Sequence, residues 1–248
     1  MPDTTYFFNP VTVRQGEEFT LRNREYDHVV KALRKSEGEQ ISIANGNGML
    51  IRSEIVEIGS DQVRCRAIDL TEAGNELPVK LTLAVGLIRQ KRFEWMVEKA
   101  TELGVRRIQP LYTDRVVRSG FRQDRLEKKA VAAMKQSERA VLPEIGRPVE
   151  LDRWLSDIDS SDVLVASQMP GAGTLADHLA DSFSGTVTVA IGPEGGWSEE
   201  ERERFRTQRF PILSLGRRRL RTETAAVAVT SQLSLLYENS RESRREQL

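Results

Sequence analysis

Two short stretches near the C terminus hold residues whose types and spacing can do chemistry. In the first, an apolar run over residues 186–191 meets the loop Ile191-Gly192-Pro193-Glu194-Gly195-Gly196, and Trp197-Ser198-Glu199-Glu200-Glu201 then opens a helix. Ser198 stands as an N-cap, with Glu201 where a capping box wants its acid. The three glycines permit unusual backbone angles and close approach of a flat or polar ligand. Ligands of open α/β sheets sit beyond the carboxyl ends of strands, which is where this loop falls. The G-x-G-x-x-G order of a dinucleotide site is absent, as is the Gly-Lys-Ser/Thr of a phosphate loop. Three acids at the helix start also disfavour a bound phosphate there. Taken alone, the loop reads equally as a ligand site or as an ordinary strand-to-helix turn.

The second stretch is Ile212-Leu213-Ser214-Leu215-Gly216, then Arg217-Arg218-Arg219-Leu220-Arg221-Thr222-Glu223-Thr224-Ala225-Ala226. A short strand again ends at a glycine, and a helix begins at Thr222 or Thr224. Its turn gathers Arg221, Thr222, Glu223 and Thr224 at the helix entrance. Threonine capping plus a surface arginine run would account for these residues singly, but not for two glycine-gated loops at successive strand ends. Ala226, Val229, Leu233 and Leu236 then form an apolar stripe, most simply core, with any exposed part suited to a subunit interface.

Other chemistries find little support. Cys65 is the only cysteine, which excludes an intrachain disulfide and a cysteine metal cluster. It falls in a strand-like run and reads as a small buried filler. His28 and His178 lie far apart without metal-ligand spacing, so no metal is expected. With 37 basic and 37 acidic residues the chain is neutral, and any nucleic-acid affinity must come from local clusters. Such clusters are Arg89-Gln90-Lys91-Arg92, Arg106-Arg107, the spaced set Arg115, Arg118, Arg122 and Arg125, and the run from Arg217 to Arg221. Each alone reads as a solvated face, but arginine outnumbers lysine, and its planar fork suits phosphate and base edges. The apolar runs are too short to span a bilayer, and the first residues lack a secretory signal; a cytoplasmic location and no membrane association are expected.

The elements that must position these residues change character along the chain. Residues 40–44, 49–58 and 63–68 alternate as strands around the turns Asn45-Gly46-Asn47-Gly48 and Gly59-Ser60-Asp61, which predicts hairpin-rich antiparallel structure. One short helix is expected over residues 27–34, with Val30 and Leu33 facing inward. A small β-barrel-like domain over residues 1–73 is the natural solution. From residue 74 strands at 79–85, 107–111, 163–167 and 186–191 alternate with helical periodicity. Phe93, Met96, Val97, Ala100 and Leu103 mark one helix and residues 124–140 another. That pattern predicts an α/β domain with a mostly parallel sheet over residues 74–240, followed by a frayed charged tail, residues 241–248.

The two C-terminal motifs together closely resemble the signature of the knotted SPOUT methyltransferases, and within them the bacterial 16S ribosomal RNA uridine N3-methyltransferases. Glu98-Lys99-Ala100-Thr101-Glu102-Leu103-Gly104-Val105, Gln136-Ser137-Glu138-Arg139 with Pro143-Glu144-Ile145, and His28-Val29-Val30-Lys31-Ala32-Leu33-Arg34 extend the match across residues 6–237. Departures are the basic Arg217-Arg218-Arg219 before Leu220 and the lack of a glycine after Lys91; both touch loop shape.

The resemblance implies a trefoil-knotted SPOUT domain and an N-terminal PUA-like RNA-binding β-barrel. It also implies a homodimer, and S-adenosyl-L-methionine as cofactor with S-adenosyl-L-homocysteine as product. By motif match Ile191, Gly192, Pro193, Glu194, Gly195, Leu215, Gly216, Leu220, Thr222, Thr224 and Ala225 would line the cofactor pocket, mainly through backbone groups. Arg221 would stabilise charge on the uracil, Glu223 would orient it or take the N3 proton, and Thr222 would position either; Glu194 ranks behind Glu223 as an acid. N3 lies on the Watson–Crick edge, so the uridine must be unpaired or flipped. Arg22, Arg24, Lys31, Arg34, Arg89, Lys91, Arg92, Arg115, Arg118, Arg139, Arg217 and Arg218 are the RNA-facing candidates. The RNA partner is 16S ribosomal RNA, expected within an assembled small subunit. Competing readings are a SPOUT ribose 2′-O-methyltransferase, a non-catalytic RNA-binding assembly factor, and an enzyme binding nucleotide phosphate at the first loop.

Overall fold

The computed structural model describes residues 6–116, 120–158, 163–179 and 185–245, with side chains through Tyr237. The chain divides into two compact units. One runs through Glu76 and takes in Val131–Leu142; the other comprises Leu77–Ala130 and the chain from Pro143 onward. Composition does not mark that return of the chain at Val131.

The first unit is built on one five-stranded sheet. Its strands are β1 (Tyr6–Phe8), β2 (Glu18–Arg22), β3 (Gln40–Ala44), β4 (Met49–Ile58) and β5 (Gln62–Glu72), in the order β1-β3-β4-β5-β2. All pairings are antiparallel except β1 with β3. The alternation read from sequence holds: Ile41, Ile43, Ile51, Ile55, Val63 and Cys65 turn to one core with Phe7, Leu21 and Val29. Burial pushes the Cys65 thiol up to about 12, so the residue is an inert filler.

The helix expected over residues 27–34 is instead α1 (Asn23–Asp27) followed by a π-helical turn (His28–Ala32). Leu33 N donates to His28 O across five residues. The wider turn rotates Val29 inward, leaving Val30 and Leu33 only half-buried.

In the second unit every described strand pairing is parallel. The sheet runs β12 (Ile212–Leu213), β10 (Val163–Ala166), β11 (Thr186–Ile191), β6 (Lys80–Gly86), β7 (Arg107–Tyr112) and β8 (Glu144–Ile145), and β9 (Val149–Glu150) also pairs with β7. The inner strands are apolar along almost their whole length, as strands covered on both faces must be: Leu81, Leu83, Ala84, Val85, Val189 and Ala190 are buried. The helix α2 (Gln90–Glu102) turns Phe93, Met96, Val97 and Ala100 inward and packs against α7 (Thr222–Arg245). Between them come α3 (Gln123–Gln136), α4 (Leu151–Asp157), α5 (Leu175–Leu179) and α6 (Glu199–Thr207).

Two helix ends differ from expectation. The helix expected to reach residue 140 stops at Gln136, because Glu138 takes a positive φ of 57° and the next residues bond to Glu76. The charged segment expected as a frayed tail is helical through Arg245, and residues 246–248 lie outside the described residues.

Candidate active site

Three parallel strands, β10, β11 and β12, end side by side, and the loops leaving them enclose a cavity of about 460 Å³. At and beyond the end of β11 lie Ile191 to Trp197. Beyond β12 lie Leu215, Gly216, Leu220, Thr222 and Ala225, and beyond β10 lie Ser167 and Gln168. Strand ends are where backbone groups leave the ladder and become free to meet a ligand.

Local chemistry fixes each loop. Gly86, the last residue of β6, sits so close to the first loop that a Cβ there would lie 2.6 Å from Pro193 N and Cδ, so only glycine fits. Trp197 is buried, and its Nε1 donates to Ala166 O at 3.0 Å, joining the loops after β11 and β10. Gly216 has φ +102°, which permits the sharp turn after β12. Gln168 Nε2 donates to Arg218 O at 3.0 Å, joining the β10 loop to that turn. The two sequence motifs meet directly: buried Thr222 Oγ1 donates to Gly192 O at 2.9 Å.

The capping box at α6 is present. Ser198 Oγ accepts from Glu201 N at 3.1 Å, and Ser198 N donates to Glu201 Oε2 at 2.7 Å. The Glu201 carboxylate is fully buried, and its Oε1 also accepts from Asp114 N at 2.9 Å. Ser198 Oγ donates to Asp114 Oδ2. One acid thus caps a helix and fixes the loop after β7.

Of the residues expected in a pocket, Ile191, Gly192, Pro193, Glu194, Gly195, Leu215, Gly216, Leu220, Thr222 and Ala225 line this cavity; Thr224 is exposed and does not. Arg221 is exposed immediately before α7, next to Thr222. Glu223 is buried, with Oε1 3.7 Å from Arg92 Nε and Oε2 without a hydrogen-bond partner.

The arginine candidates divide. Arg115 and Arg218 line the cavity, Arg217 is exposed beside it, and Arg89 and Lys91 are exposed at the start of α2. Arg92 is drawn into the site instead, paired with Glu194 and facing Glu223. Arg22, Arg24, Lys31 and Arg34 are exposed in the N-terminal unit, where Arg22 meets Gln62 and Lys31 meets Asp27. Arg118 lies outside the described residues.

Arg139 is a correction. It is 3% exposed, and its Nε and a terminal nitrogen both donate to Glu76 Oε2, at 3.0 and 2.7 Å. A guanidinium held this way is part of the N-terminal unit's framework and is not an RNA-facing group.

Sequence reasoning missed Ser167, Gln168, Trp197, Arg202 and Arg219 in the lining. The signal for the first two was present, since Met169-Pro170-Gly171 marks a third loop at a strand end.

Residues 75–234 match the family model described as RNA methyltransferase domain, more than half of the chain. The chain belongs to the RNA methyltransferase family. Residues 21–68 of this family member also match the model for the RNA methyltransferase PUA domain. It is 30% identical over 243 residues to "Ribosomal RNA small subunit methyltransferase E" of Bacillus subtilis, covering 92% of this chain and 95% of the relative. Among solved structures it resembles a Legionella pneumophila protein in complex with the bound cofactor SAM, at 30% identity and a TM-score of 0.83, covering 94% of this chain and 98% of that one. A Ribosomal RNA small subunit methyltransferase E from Neisseria gonorrhoeae, bound to S-adenosyl methionine, gives 27% identity and a TM-score of 0.85, again covering 94% and 98%. As an RNA methyltransferase the chain keeps both sequence motifs in the walls of one cavity.

Proposed function

We propose that this RNA methyltransferase transfers a methyl group from S-adenosyl-L-methionine to N3 of a uridine in 16S ribosomal RNA. One observation carries the reading: the two motifs, thirty residues apart, are hydrogen-bonded to each other through Thr222 and Gly192 in the wall of a shared cavity. The relatives named Ribosomal RNA small subunit methyltransferase E support the substrate class.

The cavity fits the cofactor. Ile191, Leu215, Leu220 and Ala225 give apolar walls for a flat adenine, and the loop backbones at three strand ends supply polar groups along its edge. When bound, the cofactor supplies an electrophilic sulfonium methyl. Ile191 to Gly195 and Leu215 to Ala225 would hold it, with Thr224 outside the wall.

Uracil N3 is a weak nucleophile until its proton leaves. Arg221, exposed beside Thr222, supplies positive charge to a base carbonyl as the anion develops. Arginine stays protonated, so it does not take the proton. Glu223 Oε2 is a buried oxygen with no donor, which makes Glu223 the first candidate acceptor. Thr222 fixes the turn that carries both.

The reading includes a homodimer. Trp95 on α2 and Leu235 and Leu236 on α7 are large apolar side chains left exposed, on two helices that pack together. It also includes a PUA-like RNA-binding unit over residues 1–73, a SPOUT domain over 74–240 with a trefoil knot, and a cytoplasmic place of action on the assembled small subunit. Among the described residues no helix is long and apolar enough to cross a membrane.

The test is mass spectrometry of nucleosides from small-subunit RNA. Small subunits from a strain lacking the enzyme are incubated with the protein and S-adenosyl-L-methionine. The expected product is 3-methyluridine, lost with Arg221→Ala. A methyl on ribose would overturn the base assignment.

A further inference from the structure

We propose that Arg115, Arg202, Arg218 and Arg219 form a phosphate-binding rim on the cofactor cavity. There the RNA backbone beside the target uridine is held, so that RNA and cofactor bind cooperatively. The inference rests on the proposed function for the identity of the cofactor and of the RNA.

The argument begins with an imbalance. Four guanidiniums line the cavity against one carboxylate, that of Glu194, and Glu194 is itself paired with Arg92. Elsewhere the chain balances its charges locally. Arg64 and Arg66 share Glu18 on the N-terminal sheet, Arg52 meets Asp69, and Arg206 meets Glu199 and Glu203 on α6. In a protein with 37 basic and 37 acidic residues, a group of four arginines of which only Arg202 meets a carboxylate among the described residues is a local feature.

Their partners leave most of this charge available. Arg218 and Arg219 are exposed and form no ion pair among the described residues. Arg115 donates one bond to Gly195 O at 3.0 Å. A terminal nitrogen of Arg202 reaches Glu199 at 3.3 Å, while its Nε is buried without an acceptor. The bond from Gln168 to Arg218 O fixes the backbone that presents the two exposed arginines.

The cofactor does not call for this rim. S-adenosyl-L-methionine carries a sulfonium and an ammonium against one carboxylate, so it is a net cation, and its carboxylate can occupy one guanidinium fork. The remaining forks match phosphodiesters, which accept two parallel N–H bonds from an arginine. A single strand laid over the mouth would bring such groups together with a base for the cavity. Its phosphates would also neutralise the rim and remove the repulsion that the cationic cofactor meets. Coupling of this kind is reciprocal, each ligand tightening the other by the same factor.

The test measures binding, not turnover. Affinity for the non-reactive cationic analogue sinefungin is determined by calorimetry with and without 16S RNA transcribed in vitro. RNA affinity is followed by filter binding across a salt series. For the unaltered protein RNA should tighten sinefungin by roughly 5-fold or more. The Arg218→Gln/Arg219→Gln double variant should lose that tightening. Its plot of log affinity against log salt should flatten by roughly 1.4, at about 0.7 per released phosphate contact. Arg218→Lys/Arg219→Lys keeps the charge and should keep the slope. Arg153→Gln, an exposed arginine on α4 away from the rim, should leave slope and tightening unchanged.

An unaltered slope in the glutamine double variant overturns the proposal. So does tight binding of tripolyphosphate or ATP at the rim with no RNA effect, which would assign the site to a free nucleoside polyphosphate. Failure of sinefungin to bind overturns both the proposal and the cofactor reading. A rim-dependent slope and tightening in a protein that makes no 3-methyluridine supports the rim and rejects only the proposed base.

Discussion

Arg92 Nε stands 3.7 Å from Glu223 Oε1, while a terminal nitrogen of the same guanidinium is paired with Glu194. One side chain near the start of α2 therefore links an acid of the loop after β11 to an acid in the first turn of α7. Glu223 is buried with its second oxygen unpartnered, so the contact with Arg92 is what holds the carboxylate in place. Arg92→Gln should lower kcat by about 10-fold, short of the roughly 100- to 10,000-fold cost of losing a general acid–base group outright. Arg92→Lys should restore part of the loss. Equal kcat values for the arginine and glutamine forms would show that the contact serves only packing.

How much of this site the sequence disclosed depends on the reach of each interaction. Ser198 and Glu201 act three residues apart, so their capping box was legible as a spacing. The buried strands β6 and β11 were legible as apolar runs. Arg92 was read as an RNA-facing residue because its run, Arg89-Gln90-Lys91-Arg92, shows charge but not which acids a fold will bring to it. Arg139 was misread for the same reason; its partner Glu76 lies sixty-three residues away. The π-helical turn at His28–Ala32 was hidden because one extra residue per turn rotates the inward face without changing composition.

The hydrogen bond from Thr222 Oγ1 to Gly192 O gives a second prediction. Thr222→Val preserves shape but leaves a buried carbonyl without its donor, at a cost of about 1–3 kcal/mol. The loop after β11 would no longer be held to α7, so sinefungin affinity should fall more than the melting temperature implies. Thr222→Ser keeps the hydroxyl and should keep the affinity. Calorimetry of the three proteins checks this; equal affinities for threonine and valine would remove the tether from the binding argument.

One buried carboxylate, that of Glu201, accepts from two backbone donors, Ser198 N in the capping box of α6 and Asp114 N in the loop after β7. Glu201→Ala should destabilise the protein by roughly 1–3 kcal/mol, since the capping box loses its reciprocal bond and two N–H groups, of Ser198 and Asp114, lose their acceptor. Because the loop after β7 carries Arg115, the same variant should weaken RNA binding while leaving the N-terminal unit folded. Denaturant unfolding with filter binding of RNA tests both parts, and a stability change below about 0.5 kcal/mol would contradict the first.

His28 supplies a pH dependence whose sign can be worked out. Its ring packs on Phe7 with centroids 5.0 Å apart, and Lys135 Nζ lies 3.4 Å from Nδ1. Burial foremost, and then the Lys135 charge, hold its pKa below the ordinary 6.5, while nearby Glu25 opposes the shift. As pH falls through 6.5 the unfolded chain takes up a proton that the folded chain refuses. Protons then favour unfolding, and stability declines until the lower folded pKa is reached. Urea midpoints should therefore drop between pH 7 and pH 5, and His28→Gln should flatten that part of the curve. A histidine that instead gained stability on protonation would raise the midpoint over the same range, and that result would place the Glu25 attraction above burial and Lys135 together.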